Sequence, residues 1–311
     1  MQLYNRYSDY LKSKYNTKVY KLPINIPVTC PNRDGLISYH GCIFCGDEGA
    51  GFETLSNNMD VKSQIETNRK YIKENYKAEK YIAYFQNFSN TYLPFKQFSQ
   101  YISQSLVDDV VAIYISTRPD CITDEQLDFL ENIKRTKAVD IAIELGLQTI
   151  NHRTLKLLNR GHTLAEFISA VQRIKRRGLE ICTHYIIDLP WDDIEDTIEG
   201  AKILSALEIK QVKLHSLYIL KDTMLGKMFE NKKFSPVSLE EYIKRVISFL
   251  EYLSPEIIIQ RLIGRAPEER TLFCNWDTSW WKIRDMIEEK MRQDCSYQGK
   301  RFDYLEAKKL P

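Results

Sequence analysis

Cys30, Cys42 and Cys45 form the pattern Cys-x11-Cys-x2-Cys, inside a stretch rich in Gly, Pro, Asn and Asp that ends at Gly46. Two thiols separated by two residues turn inward on a tight loop and clamp one metal or cluster, and Cys30 can fold back as a third ligand. Three thiolates leave such a site open. An iron–sulfur cluster held this way keeps one iron for a substrate or cofactor. A zinc ion would need a fourth ligand, for which His40 is at hand, giving Cys3His. Thiolates suit both metals, so residue type alone does not choose. Position favours iron–sulfur, because the loop follows the first predicted strand at its carboxyl end, where α/β barrels place their chemistry. Cys121, Cys182, Cys274 and Cys295 read as packing residues. The total of seven then marks an open triad rather than a missing disulfide partner.

The elements that must position this loop alternate. Apolar, β-branched runs at 21–28, 81–86, 110–116, 140–145, 180–187 and 211–218 read as strands, and amphipathic segments at 61–76, 95–106, 124–136, 164–177, 194–207 and 239–253 as helices. Thr123 with Gln126, Thr163 with Glu166 and Ser238 with Glu241 are capping-box pairs, and Gly178 stands where a helix ends. Six strand–helix units predict a parallel sheet covered by helices, in an open, partial or closed barrel. No Gly-x-Gly-x-x-Gly follows a strand, which weakens a dinucleotide-binding reading. A further strand at 256–260 and a helix at 277–293 form a distinct tail. The expected organisation is an N-terminal basic and aromatic segment (1–20), a core (21–254) and a C-terminal extension packed on it (255–311).

The 311 residues are 43% hydrophobic and 28% charged, which excludes a disordered chain. No apolar run approaches the ~20 residues of a membrane span, and the start has no signal-peptide core, so a cytoplasmic location with no membrane partner is expected. The net charge of +2 averages over unlike stretches. Residues 153–177 hold seven bases against one acid, and residues 188–199 hold six acids and no base. Near the start, Tyr4, Tyr7, Tyr10, Tyr15 and Tyr20 interleave with Arg6, Lys12, Lys14, Lys18 and Lys21. That mixture suits unstacked RNA bases and phosphates, or else tyrosines packed on a barrel. Trp276, Trp280 and Trp281 read as packing or a lid.

The motifs Cys-Pro-Asn-Arg-Asp-Gly (30–35), Gly-Cys-Ile-Phe-Cys (41–45), Tyr-Phe-Gln-Asn-Phe-Ser-Asn-Thr-Tyr (84–92), Ser-Thr-Arg-Pro-Asp (116–120), Glu-Leu-Gly-Leu-Gln-Thr (144–149), Asn-Arg-Gly-His (159–162), Thr-His-Tyr-Ile-Ile-Asp-Leu-Pro (183–190) and Gln-Arg-Leu-Ile-Gly-Arg-Ala-Pro (260–267) cover most of the chain. Together they resemble the radical S-adenosylmethionine (SAM) superfamily, in the YhcC/YtqA-type branch related to the Elongator catalytic subunit. The resemblance implies a partial (βα)6 TIM-like barrel. It also implies a [4Fe–4S] cluster on Cys30, Cys42 and Cys45, with S-adenosyl-L-methionine on the fourth iron.

Further roles carry over position by position. Phe44 matches the aromatic near the adenine. Gln86, Ser89 and Asn90 stand where relatives carry a Gly-Gly-Glu segment for the methionyl amine, with Ser89 and the backbone as substitutes here. Ser116 and Arg118 end strand three. Glu144 and Gln148, at the end of strand four, are placed for ribose or carboxylate contacts, and Arg160 for a bidentate grip on the cofactor carboxylate. Asp188 replaces a glycine of the family's Gly-Leu-Pro. His184 and His215 become substrate contacts if they face the barrel interior. The Elongator relationship implies a tRNA partner, with modification at carbon 5 of the wobble uridine, and the chemistry implies an electron donor such as flavodoxin or ferredoxin. The oligomeric state is not readable. Two other readings stand: the same chemistry on a small molecule or peptide, and a non-enzymatic zinc RNA-binding protein.

Overall fold

The computed structural model describes residues 2–47, 49, 54–266 and 268–306, with the side chain of residue 268 outside the description. The last residue of the 260–267 motif, Pro267, and the final residues of the predicted extension, 307–311, lie outside the described residues. In chain order the strands are β1 (Val19–Ile24), β2 (Lys80–Phe85), β3 (Val110–Thr117), β4 (Asp140–Gln148), β5 (Glu180–Ile186), β6 (Gln211–His215), β7 (Ile219–Leu220), β8 (Ile258–Arg261) and β9 (Thr271–Phe273). The α-helices are α1 (Tyr7–Tyr15), α2 (Val61–Tyr76), α3 (Phe95–Gln104), α4 (Asp124–Lys137), α5 (His152–Leu157), α6 (Leu164–Arg176), α7 (Ile194–Ala206), α8 (Met224–Glu230), α9 (Leu239–Tyr252) and α10 (Trp280–Gln293). Seven strands share one sheet in the order β1-β2-β3-β4-β5-β6-β8, and β7 and β9 pair separately.

All six predicted strand–helix units are present. The tail strand joins the main sheet as a seventh member, parallel to β6 with Gln211 opposite Ile258. The first strand lies earlier than the sequence suggests, at Val19–Ile24. Pro27 has no N–H for a ladder, and Val28 N–H instead closes a short turn onto the Ile26 carbonyl. The short helices α1, α5 and α8 were not anticipated. Each is too brief for periodicity to distinguish it from a loop.

The described residues divide into two compact units. One comprises residues 8–147 and 158–183, the other residues 1–7, 148–157 and 184–311. In the first, β1 to β4 pair in parallel, with Leu22 opposite Ala83, Tyr84 opposite Tyr114 and Ser116 opposite Glu144. Leu22, Ile82, Phe85, Ile113, Ile115, Ile141 and Ile143 have no exposed surface. Parallel strands covered on both faces bury nearly every residue in this way. The expected capping boxes form at Thr123 and Thr163, and each satisfies two helix-end N–H groups. Helix α6 then buries Phe167, Ala170, Val171 and Ile174.

The N-terminal tyrosines take the packing role. Tyr10 donates to Glu180 at 3.0 Å and Tyr15 to Asp140 at 2.7 Å, while Lys14 lies 2.7 Å from Glu180 and 3.0 Å from Asp140. Asp140 and Glu180 open β4 and β5, so α1 is pinned at the amino ends of these strands. The cysteine loop follows the carboxyl end of β1. For Tyr10, Lys14 and Tyr15 the structure thus gives the packing alternative. In the second unit, Tyr4 and Arg6 both bind Glu288 of α10, each at 2.9 Å. No helix among the described residues is long and apolar enough to cross a membrane.

Candidate active site

The cysteine loop is held by its own backbone. Arg33 N–H bonds to the Cys30 carbonyl at 2.8 Å, Gly41 N–H to Asn32 at 2.6 Å, and Cys45 N–H to Cys42 at 3.0 Å. The last of these is the tight turn that a Cys-x-x-Cys pair requires. The motif Asn-Arg-Gly-His (159–162) then docks onto this loop. Asn159 donates to the Gly41 carbonyl at 2.7 Å, the Asn32 amide donates to the Asn159 carbonyl, and Ile43 N–H reaches Leu158. Gly161 makes the close approach possible. Its φ is +70°, and a Cβ there would stand 2.6 Å from Ile37 and 3.2 Å from Asn32.

All three cysteines are free thiols, Cys42 buried and the other two half-buried. Three N–H donors face the sulfurs. Arg160 Nη1 is 3.2 Å from Cys42 Sγ, Asn32 Nδ2 is 3.5 Å from the same sulfur, and Arg33 Nη1 is 3.6 Å from Cys45 Sγ. Burial, and then the neighbouring Cys42, push the Cys45 thiol up to about 11, with Arg33 opposing. Among the described residues the three sulfurs are not all gathered within 4.8 Å of one another.

Two buried arginines stand beside the loop. Arg118 grips Asp120 with Nε at 2.9 Å and Nη2 at 2.8 Å, and the nearby Cys30 adds to the field that favours its charge. Its Nη1 is buried with no partner. Arg160 bonds the Gly146 carbonyl at 2.7 Å and His162 Nε2 at 3.0 Å, and its Nε is buried and unpartnered. His162 is held neutral: burial, then Arg160 and Arg118, push its imidazole down to about 3. Its Nδ1 lies 3.2 Å from the Thr163 carbonyl, so that nitrogen carries the proton and Nε2 accepts. Unused buried donors beside three thiols are what an anionic cluster and a carboxylate-bearing cofactor need.

Other predicted residues fall differently. Phe44 is half-buried in the Cys42–Cys45 turn. Gln86 directly follows β2 and is half-buried, and Ser89 is buried. The Asn90 amide nitrogen is spent on the carbonyls of Phe85, Asn87 and Ser116, and so ties β2 to β3. Ser116 and Glu144 belong to a network within the sheet. Glu144 accepts from Tyr84 at 2.9 Å and pairs with Lys21 at 2.7 Å, and Ser116 lies 3.2 Å from the Tyr84 hydroxyl. Glu144 sits mid-strand because β4 runs on to Gln148, beyond the predicted end at residue 145.

In the second unit, Gln148 takes a left-handed φ of +76°. His184 and His215 stack with ring centroids 5.0 Å apart, and Arg261 Nη2 lies 2.6 Å from His215 Nδ1. Asp188 accepts the Leu217 N–H at 2.7 Å, which makes it a link between the ends of β5 and β6. Sequence reasoning assigned no role to Asn32, Arg33, His162 or Arg261. All four lie inside the motifs quoted above, so the signal was the motif itself, without the neighbour each residue would face.

Sheet and loop together define a class, an α/β protein carrying a three-thiol site on the loop after its first parallel strand. The chain belongs to the radical SAM superfamily. The family model for that superfamily matches residues 24–201, and the model for the radical SAM C-terminal domain matches residues 209–293. The uncharacterized protein YtqA of Bacillus subtilis is 34% identical over 304 residues, 97% of this chain and 94% of its own length. A Methanocaldococcus jannaschii protein described as a tRNA uridine(34) acetyltransferase is 29% identical over 170 residues, 54% of this chain but 30% of its own length. The structure of Methanocaldococcus infernus Elp3 superposes with a TM-score of 0.70 at 18% identity, over 90% of this chain and 64% of that one. The fold is the partial barrel of the radical SAM type.

Proposed function

We propose that Cys30, Cys42 and Cys45 hold a [4Fe–4S] cluster at which S-adenosyl-L-methionine is reductively cleaved, and that the substrate is a tRNA wobble uridine. The observation that carries the cluster is Arg160, a buried guanidinium facing the Cys42 sulfur and paired with no carboxylate among the described residues. A buried cation costs several kcal/mol unless an anion compensates it, and a thiolate-ligated cluster supplies that charge. When bound, the cluster and SAM provide one-electron cleavage of a carbon–sulfur bond, giving methionine and a 5′-deoxyadenosyl radical that abstracts a substrate hydrogen. Around it, Arg118 Nη1 and Arg160 Nε offer donors to the methionyl carboxylate, and Phe44 offers an aromatic face to the adenine. One electron per turnover comes from a donor such as flavodoxin or ferredoxin.

Support for tRNA is the likeness to the archaeal uridine(34) enzyme and to Elp3. A small-molecule or peptide substrate is favoured by one observation, that Tyr10, Tyr15 and Lys14 are committed to Asp140 and Glu180. Anaerobic reconstitution tests the cluster. The wild type is expected to hold about four irons and to yield 5′-deoxyadenosine under reduction, and Cys42→Ala or Cys45→Ala to lose both. One zinc and no iron would overturn the assignment. Mass spectrometry of tRNA nucleosides with and without the gene tests the substrate; identical wobble uridines in both would remove tRNA.

A further inference from the structure

We propose that Arg160 is the counter-ion of the cluster and sets its reduction potential, with His162 and Gly146 as the groups that aim it. The inference rests on the cluster reading above. The three arginines near the thiols differ in one respect. Arg33 reaches Cys45 but also lies 2.9 Å from Asp47, and Arg118 forms its fork with Asp120. Arg160 has a carbonyl, an imidazole and a sulfur as its partners, none of them a carboxylate. It is 6% exposed, so solvent screens it little and its full charge acts on Cys42 at 3.2 Å.

His162 keeps that charge single and directed. Its Nδ1–H is committed to the Thr163 carbonyl and its Nε2 accepts from Arg160. Protonation would place a second cation against the guanidinium, and the imidazole stays neutral. The Gly146 carbonyl, in β4, accepts from the same Nη2. The arginine therefore approaches the sulfur from a rigid strand and an ordered turn.

Reduction adds one negative charge to a thiolate-held cluster. Hydrogen bonds to the sulfurs and nearby positive charge favour that added electron and raise the potential. Arg160 supplies both at one ligand. Arg33 supplies a longer contact with its charge offset by Asp47, so its effect is smaller.

The experiment is an EPR-monitored redox titration of the anaerobically reconstituted full chain without SAM, for the wild type, Arg160→Met, Arg160→Lys and Arg33→Met, with iron counted in each. Arg160→Met is expected to retain the irons and to make reduction about tenfold less favourable, about 59 mV more negative for one electron. Arg160→Lys restores part of the shift, because charge returns without the fork, and Arg33→Met moves the potential less than Arg160→Met. A potential for Arg160→Met equal to or above that of the wild type overturns the proposal. Loss of iron in Arg160→Met also overturns it, since that result assigns the residue to assembly of the site. A wild type that assembles no cluster is a different failure, that of the functional reading itself.

Discussion

Lys21 Nζ lies 2.7 Å from Glu144 Oε1, and the Glu144 side chain has no exposed surface. The same ammonium stands 4.4 Å from the Tyr84 ring centroid and 4.7 Å from that of Tyr114, and Tyr84 donates to the other Glu144 oxygen. One charge pair thus joins β1, β2, β3 and β4 across a single face of the sheet. Removing the lysine takes away the ammonium that faces this buried carboxylate. Lys21→Met is expected to cost about 3–5 kcal/mol in urea denaturation, and the double variant Lys21→Met/Glu144→Met to recover most of the loss. A single-variant cost below about 1 kcal/mol, the range of exposed pairs, would show that the pair is not effectively buried.

The aromatic and basic start of the chain is expected to act on stability rather than on RNA. Tyr10→Phe and Tyr15→Phe each delete a hydroxyl donor to a carboxylate. Each should lower stability by about 1 kcal/mol and leave RNA affinity unchanged in filter binding at fixed salt. A tenfold loss of RNA affinity in either variant, with stability intact, would return these tyrosines to the substrate surface.

Much of the architecture was legible because it depends on local rules. The Thr123 and Thr163 capping boxes fixed two helix starts, and near-continuous apolar runs marked strands buried on both faces. The cysteine triad was legible from spacing alone. What escaped depends on pairing across long separations. Tyr10 reads identically whether it stacks on a base or bonds Glu180, 170 residues later. That Arg160 also faces Cys42, 118 residues earlier, cannot be read from its own motif. Glu144 read as a strand-end ligand because the predicted strand stopped at residue 145, yet β4 continues to Gln148.

Arg118 tests the cofactor pocket separately from the cluster. Its Nη1 is a buried donor with no partner, while the rest of its fork is held by Asp120. Losing one charge-assisted hydrogen bond costs about 1.5–3 kcal/mol, or roughly tenfold to 150-fold in affinity. Arg118→Gln is expected to weaken SAM binding by that factor in calorimetry on the reconstituted protein, with iron content unchanged. Arg118→Lys should rescue little, since an ammonium cannot hold Asp120 bidentately and also reach outward. Wild-type affinity in Arg118→Gln would exclude the residue from the cofactor site.

Asp188 sets a pH dependence of stability whose sign follows from its surroundings. Burial pushes its carboxyl from 3.8 up to about 7, against the opposing Leu217 N–H and the positive Arg245. One oxygen accepts from Leu217, and the other is buried with no partner. The folded chain therefore binds this proton more tightly than the unfolded chain. Its contribution is fully present below about pH 4 and is lost as pH rises through 7, at about 1.4 kcal/mol per unit. The total is on the order of 4 kcal/mol. Asp192, pushed up to about 6 by burial, acts in the same direction over a narrower window. Asp188→Asn keeps an oxygen for Leu217 and has no proton to lose. Urea titrations at pH 5 and pH 8 should show the wild type losing more stability between the two than Asp188→Asn, with the variant the more stable at pH 8. Equal losses in the two proteins would mean that the Asp188 carboxyl is already ionised in the fold.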